Sequence, residues 1–172
     1  MDKQIFIING SGGVGKDMFV TLVSDYIETA NFSSVDKVKE IARNIGWTGG
    51  KSEKDRKFLS DLKLLCTDYN DMPFNSMKSK VSKFLNSDHL RFLFLHIREP
   101  EEIERAKIVF DAKTILVKRD SVEQITSNMA DANVYNYNYD IIINNNEGIA
   151  DLKYKAFCFA KDFIDNQLKK EY

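Results

Sequence analysis

The sequence has 172 residues, of which 43% are hydrophobic and 30% charged, and its formal net charge is -1. These values describe one globular domain, spanning residues 1–172, that can bury a core of its own. They exclude the strongly basic surface that attracts nucleic acid or anionic lipid, and no apolar run approaches the roughly 18 residues of a membrane-spanning helix. The two cysteines lie in helical patterns and indicate neither a disulfide framework nor a zinc site. We therefore expect a cytoplasmic protein that binds neither nucleic acid nor membranes.

The first elements are a strand followed by two helices. Residues 4–9 form a continuous apolar run that ends in a glycine cluster, which is typical of a buried parallel strand. Apolar residues then recur at helical spacing until about residue 31. A second helix is predicted over residues 35–45, with Ser33 or Ser34 as its N-cap.

Later in the chain, the strand and helix signals continue to alternate. A third helix begins near Ser52 and Asp55, whose spacing is close to a capping box, and ends before Pro73. Further strand-like runs, each followed by a helical pattern, occupy residues 92–97, 114–117 and 139–143. This alternation predicts an α/β fold with a parallel sheet.

The glycine cluster after the first strand matches the G-x-x-x-x-G-K pattern of a phosphate-binding loop. It comprises Gly10, Ser11, Gly12, Gly13, Val14, Gly15 and Lys16. Glycines let successive backbone N–H groups turn toward an anion, the following helix adds the positive end of its dipole, and the lysine supplies a mobile charge. We expect the loop to bind nucleotide phosphates; the alternative is a tight turn without a ligand.

The residues after Lys16 depart from this pattern. A Ser or Thr is expected there as a magnesium ligand, whereas this chain has Asp17 and then Met18. A carboxylate can bind Mg²⁺, but an acidic residue is also favoured in the first turn of any helix, so both interpretations stay open. The second acid of the pattern is also missing, because His96 stands near the end of the strand 92–97. A histidine in such a position is more often partly buried and hydrogen-bonded than a ligand, and we interpret His96 in this way.

The run Gly15-Lys16-Asp17 at a first strand-to-helix turn resembles the loop of phage-type deoxynucleoside monophosphate kinases and of animal-type phosphomevalonate kinases. Both belong to the nucleoside monophosphate kinase group of P-loop proteins, and they usually carry threonine where this chain has Met18. The likeness extends loosely to a late strand with the pattern Tyr-Asp-x-x-Ile-x-Asn, which begins here at Tyr139. It implies a three-layer P-loop NTPase fold with a central parallel sheet flanked by helices, with ATP and Mg²⁺ as cofactors. It also implies an acceptor-binding helical region at about 33–88 and a lid at about 118–138.

Two arginines stand where they can neutralise a transferring phosphoryl group. Arg98 follows the strand 92–97, at the edge of the sheet where ligands bind in α/β proteins. Its alternative role is a salt bridge to the acids that open the next helix, namely Glu99, Glu101 and Glu102. Arg119 follows the strand 114–117 and opens the lid, where a plain solvated charge is the alternative.

The acceptor pocket is expected on the helices that follow the first βα unit. Its predicted residues are Asp36, Lys39, Arg43, Trp47 and Arg56. The Trp47 indole is suited either to stacking on a base or to covering the core with its N–H facing water. The mixed charges of residues 37–63 are also typical of an ordinary solvated helical face.

Together these features favour transfer of the γ-phosphoryl group of ATP to a small phosphorylated acceptor, with a nucleoside or deoxynucleoside monophosphate as the first expectation. The alternatives are a nucleotide-binding module without turnover and a kinase of a non-nucleotide phosphate ester. A GTPase is disfavoured because no Asn-Lys-x-Asp segment is present. The sequence specifies neither the acceptor nor an oligomeric state.

Overall fold

Five parallel strands form one sheet, flanked by six helices, in the computed structural model, which describes residues 2–122 and 133–168. In chain order the elements are β1 (Gln4–Asn9), α1 (Lys16–Ser24), β2 (Thr29–Ser33), α2 (Asp36–Asn44), α3 (Glu53–Asn70), α4 (Met72–Leu85), β3 (Phe92–His96), α5 (Pro100–Phe110), β4 (Lys113–Lys118), β5 (Ile141–Asn144) and α6 (Ile149–Leu168). The strand order is β2-β3-β1-β4-β5, and every neighbouring pair is parallel. The predicted α/β fold with a central parallel sheet is therefore confirmed.

Strand β1 lies at the centre of the sheet and is apolar on both faces. Ile5 and Ile7 belong to the core cluster formed with α4 and α5, whereas Phe6 and Ile8 belong to the cluster formed with α1 and α6. Successive side chains of a strand point to opposite faces. The continuous apolar run predicted a buried strand because helices cover this strand from both sides.

The segment from α1 to α2 differs from the prediction of one helix reaching about residue 31. Helix α1 ends at Ser24, and Thr29–Ser33 forms the edge strand β2, which pairs in parallel with β3. Phe32 is its one buried residue, so neither a helical nor an alternating pattern is visible in the sequence. Ser33 consequently lies in a strand, and the N-cap of α2 is Val35 rather than Ser33 or Ser34.

The predicted start of α3 is confirmed by its hydrogen bonds. The Ser52 hydroxyl accepts the Asp55 N–H at 3.2 Å, and the Asp55 carboxylate accepts the Ser52 N–H at 3.1 Å. The helix ends at Asn70, before Pro73, as expected. No helix within residues 2–122 and 133–168 is long and apolar enough to cross a membrane.

Candidate active site

The glycine-rich loop connects the carboxyl end of β1 to the amino end of α1, as predicted. Gly15 is the N-cap of α1 and has a left-handed backbone with φ of 95°, and no side chain caps the helix. Gly15 supplies no side-chain acceptor to the first N–H groups of the helix, and the positive end of the helix dipole lies at the same point. This arrangement suits an anion such as a nucleotide phosphate.

Asn145, which directly follows β5, packs against the loop. Its Nδ2 donates to the Val14 carbonyl at 2.9 Å, and a Cβ on Gly15 would lie 2.5 Å from that nitrogen. The side chain is buried. Asn145 thus holds the loop in place, and Gly15 is required by both its φ and this close approach. Asn145 has no local signal for this role in the sequence, because it is separated from Val14 by 131 residues.

Replacing Asn145 by alanine is expected to leave the Val14 carbonyl buried without a donor, at a cost of about 1–3 kcal/mol in the free energy of unfolding. ATP binding should weaken as well, since the loop loses a support. Urea unfolding and ATP titration measure the two effects. The matched control is Asn146→Ala, because Asn146 is exposed and bonds only to Asp120 among the described residues. Equal losses in the two variants would contradict the assignment.

Asn9, the last residue of β1, joins three parts of the site. Its Oδ1 accepts the Gly10 N–H at 2.8 Å, while its Nδ2 donates to the Arg98 carbonyl at 3.2 Å and to the Tyr139 hydroxyl at 2.8 Å. Burial raises the pKa of Tyr139 to about 12, so the hydroxyl stays protonated. Its O–H donates a hydrogen bond to the Val134 carbonyl. The sequence signal for Asn9 is a polar residue that ends an apolar strand directly before the loop.

A single cavity of about 850 Å³ extends from the loop to the helical region that precedes β3. The predicted site residues on its wall are Gly12, Gly13, Lys16, Asp17, Asp36, Lys39, Arg43, Trp47, Arg56 and Arg98. The structure therefore brings the predicted phosphate loop and the predicted acceptor residues to one space. Five predicted loop residues do not line it, namely Gly10, Ser11, Val14, Gly15 and Met18.

Lys16, Asp17 and His96 meet where the loop faces the end of β3. The Asp17 Oδ1 atom lies 3.7 Å from Lys16 Nζ and 3.5 Å from His96 Nδ1. The Asp17 side chain is 79% exposed, whereas those of Lys16 and His96 are each 12% exposed. Burial, followed by the charge of Lys16, lowers the pKa of His96 to about 4. His96 is largely buried, as expected, but its Nε2 atom has no hydrogen-bond partner within the described part of the chain.

Lys63 binds two of the acids that follow Arg98. Its Nζ lies 2.7 Å from Glu99 Oε2 and 2.6 Å from Glu102 Oε2, and its side chain is only 12% exposed. Lys63 is therefore not part of a solvated helical face. Burial raises the pKa of Glu102 to about 7. For Glu99, burial acts in the same direction, but the Lys63 charge and the hydrogen bonds with Glu102 and Lys63 together lower the pKa. Arg98 itself lines the cavity.

Trp47 is attached to the start of α3 and lines the cavity. Its Nε1–H donates to Asp55 Oδ1 at 3.1 Å, and the Arg43 guanidinium lies 5.6 Å from the centre of its ring. Arg56 Nε donates to the Lys51 carbonyl at 3.2 Å. These contacts connect the loop between α2 and α3 to the first turn of α3, and they place two guanidinium groups on the cavity wall.

Arg119, directly after β4, does not line the cavity. Its Nε atom is buried and has no hydrogen-bond partner among the residues that the structure describes. Residues 123–132 of the predicted lid lie outside the described residues. The contact of Arg119 with a transferring phosphoryl group therefore stays a prediction.

The fit of Mg²⁺ to this site depends on Asp17. No group of three or more His, Cys, Asp or Glu side chains able to hold a metal occurs in the described part of the chain. Magnesium commonly takes only one or two protein carboxylates and completes its shell with substrate phosphates and water. The exposed Asp17 carboxylate beside Lys16 fits that requirement. Thr21, one turn further along α1, carries the nearest hydroxyl that follows Asp17 in the chain, and this hydroxyl donates a hydrogen bond to the Asp17 carbonyl at 3.0 Å.

The fold and the loop together define a P-loop α/β protein. A crystal structure of a Chloroflexus aurantiacus protein, provisionally described as a kinase, has a TM-score of 0.50 and 9% sequence identity and covers 94% of this chain and 98% of that one. The structure of TT1252 from Thermus thermophilus has a TM-score of 0.52 and 16% identity, with the same coverage. At these identities the similarity establishes a kinase-like fold. No protein-family model matches the sequence, and no curated protein matches it.

Proposed function

We propose that this protein transfers the γ-phosphoryl group of ATP to a small phosphorylated acceptor, most simply a nucleoside or deoxynucleoside monophosphate. The loop amides and Lys16 bind the donor phosphates, and Asp17 holds Mg²⁺, which neutralises phosphate charge. Arg98 and Arg119 neutralise the transferring group, and Asp36, Arg43, Trp47 and Arg56 bind the acceptor. We further propose that the protein acts on small molecules in the cytoplasm, with neither nucleic acid nor a membrane as partner.

The continuity of the cavity carries this proposal. Lys16 and the loop line one part of it, and the helical region that precedes β3 lines the rest. The wall carries seven cationic side chains, Lys16, Lys39, Arg43, Lys51, Arg56, Lys63 and Arg98, against three carboxylates, Asp17, Asp36 and Glu99. A net positive wall suits two phosphorylated ligands that must approach each other despite their like charges.

The chemistry requires little from the protein beyond position and charge. An oxygen of the acceptor phosphate attacks the γ-phosphorus, the bond to the β–γ bridging oxygen breaks, and ADP leaves with the electron pair. The attacking oxygen is already anionic, so no general base is needed. Lys16 and Arg98 lie on the wall of the same cavity, where they can follow the charge that moves from the γ-phosphate to ADP.

The test is ADP release with ATP and Mg²⁺ against a panel of ribo- and deoxynucleoside monophosphates, extended to non-nucleotide phosphate esters. We expect turnover with one acceptor class, and a loss of at least about 10³-fold in kcat for Lys16→Ala because the loop lysine stabilises the transferring charge. Lys57→Ala is the matched control, since Lys57 is an exposed lysine of α3 that pairs with Asp61. ATP binding without turnover on any acceptor would indicate a binding module, which the departures at Asp17 and His96 would explain.

A further inference from the structure

Two departures from the P-loop pattern face each other in this structure. The pattern places a hydroxyl residue after the loop lysine and an acid at the end of a neighbouring strand, and both hold magnesium. This chain has Asp17 at the first position and His96 at the second. Asp17 Oδ1 lies 3.5 Å from His96 Nδ1. Compared with the pattern, the acid therefore follows the loop lysine, and the uncharged residue stands at the end of the neighbouring strand.

The histidine is the fixed member of this pair. It is the last residue of β3, its carbonyl accepts the Ser34 N–H at 3.1 Å, and its side chain is only 12% exposed. The Nε2 atom is buried without a hydrogen-bond partner in residues 2–122 and 133–168, and among these residues the Nδ1 side of the ring faces a polar group, the Asp17 carboxylate. Asp17, in contrast, is 79% exposed and extends into the cavity from the first turn of α1.

We propose that His96 is a positioning residue for the magnesium ion of bound ATP and acts through Asp17. Its Nδ1–H donates to Asp17 Oδ1 and orients the carboxylate on the cavity wall that Lys16 also lines. The second carboxylate oxygen then remains for the ion. In many proteins a residue that does not touch the metal orients a metal-binding carboxylate through a hydrogen bond. Hydrogen bonds at active sites often shorten only when the ligand is bound. This inference rests on the donor half of the proposed function and is independent of the acceptor.

The experiment measures ATP affinity by calorimetry with Mg²⁺ and again with EDTA, without any acceptor. The ratio of the ATP affinity in Mg²⁺ to the ATP affinity in EDTA reports how strongly the binding of the ion and the binding of ATP to the protein are coupled. We expect the ratio to fall about tenfold in Asp17→Asn and by a similar factor in His96→Leu, as is usual when an outer partner of a metal ligand is lost. The double variant should fall no further than Asp17→Asn, because both changes remove one interaction.

Two further variants separate positioning from folding. His96→Asn places an amide donor where Nδ1 lies and should restore most of the ratio, whereas His89→Leu changes an exposed histidine and should leave it unchanged. ATP affinity in EDTA should be the same in wild type and in the variants of His96 and His89, whereas Asp17→Asn should not weaken it, because this change removes a negative charge beside the phosphates. An unchanged ratio in His96→Leu, additive losses in the double variant, or a His96→Asn protein no better than His96→Leu would overturn the inference. Wild-type protein that binds no ATP would instead overturn the proposed function, and this inference with it.

Discussion

Replacement of Lys63 by methionine is expected to lower the free energy of unfolding by about 3–5 kcal/mol, because removing one partner of a buried ion pair leaves uncompensated charge. The Lys63 ammonium lies between Glu99 and Glu102, and it joins α3 to the end of β3 and to α5. Methionine keeps most of the side-chain volume, so the loss reports charge rather than a cavity. Chemical denaturation of both proteins at pH 8 measures it.

The loss in Lys63→Met should depend on pH. Burial raises the pKa of Glu102 from 4.5 to about 7, so the folded protein holds a proton that the unfolded chain releases over this range. Stability from this group is therefore present below about pH 4.5 and decreases as the pH rises toward 7. Without Lys63, the pKa values of Glu99 and Glu102 should both rise, because their charged forms lose a cation. The variant should therefore lose less unfolding free energy at pH 5 than at pH 8.

The control for Lys63→Met is Lys57→Met on the same helix. Lys57 pairs with Asp61 at 2.7 Å, but its side chain is 75% exposed. Exposed pairs of this kind contribute about 0.2–1 kcal/mol, so the control should be nearly as stable as wild type. Similar losses in the two variants, or a loss in Lys63→Met that does not change with pH, would contradict the buried position of Lys63.

Gly10→Ala is expected to abolish ATP binding and to destabilise the protein by about 3 kcal/mol, the upper end of the usual cost of overpacking. A Cβ at this position would lie 2.5 Å from the Val117 carbonyl oxygen and 2.8 Å from the Val14 side chain. The first of these atoms belongs to the backbone of β4 and cannot rotate away. The loop would have to move away from β4, and its N–H groups would no longer surround a phosphate. ATP titration and thermal unfolding measure the two effects.

Gly148→Ala separates this clash from ordinary backbone strain. Gly148 has a φ of 89°, and no atom lies within 4 Å of a Cβ built on it. The substitution should therefore cost only about 1–2 kcal/mol, the price of a left-handed conformation, and ATP binding should persist. If Gly10→Ala binds ATP as Gly148→Ala does, the loop does not depend on its close approach to β4.

Local patterns in the sequence were sufficient for the elements whose signals lie within a few residues. The apolar run of β1, the glycine loop before α1 and the capping box of Ser52 and Asp55 were all predicted and confirmed. Each depends on backbone geometry and hydrogen bonds between neighbours in the chain, so its signal does not require knowledge of the fold. The edge strand β2 was missed because only Phe32 is buried, and its pairing with β3 comes from distant residues.

The sequence by itself determined the α/β class and the position of the glycine-rich loop, and it indicated ten of the residues on the cavity wall. Only the tertiary structure decided that Asn145 supports Val14, that Lys63 is buried between two acids, and that Asp17 faces His96. These pairs are far apart in the chain. A lone asparagine or lysine has no local signal for burial, because its surroundings are created only when the strands align and the helices pack on them.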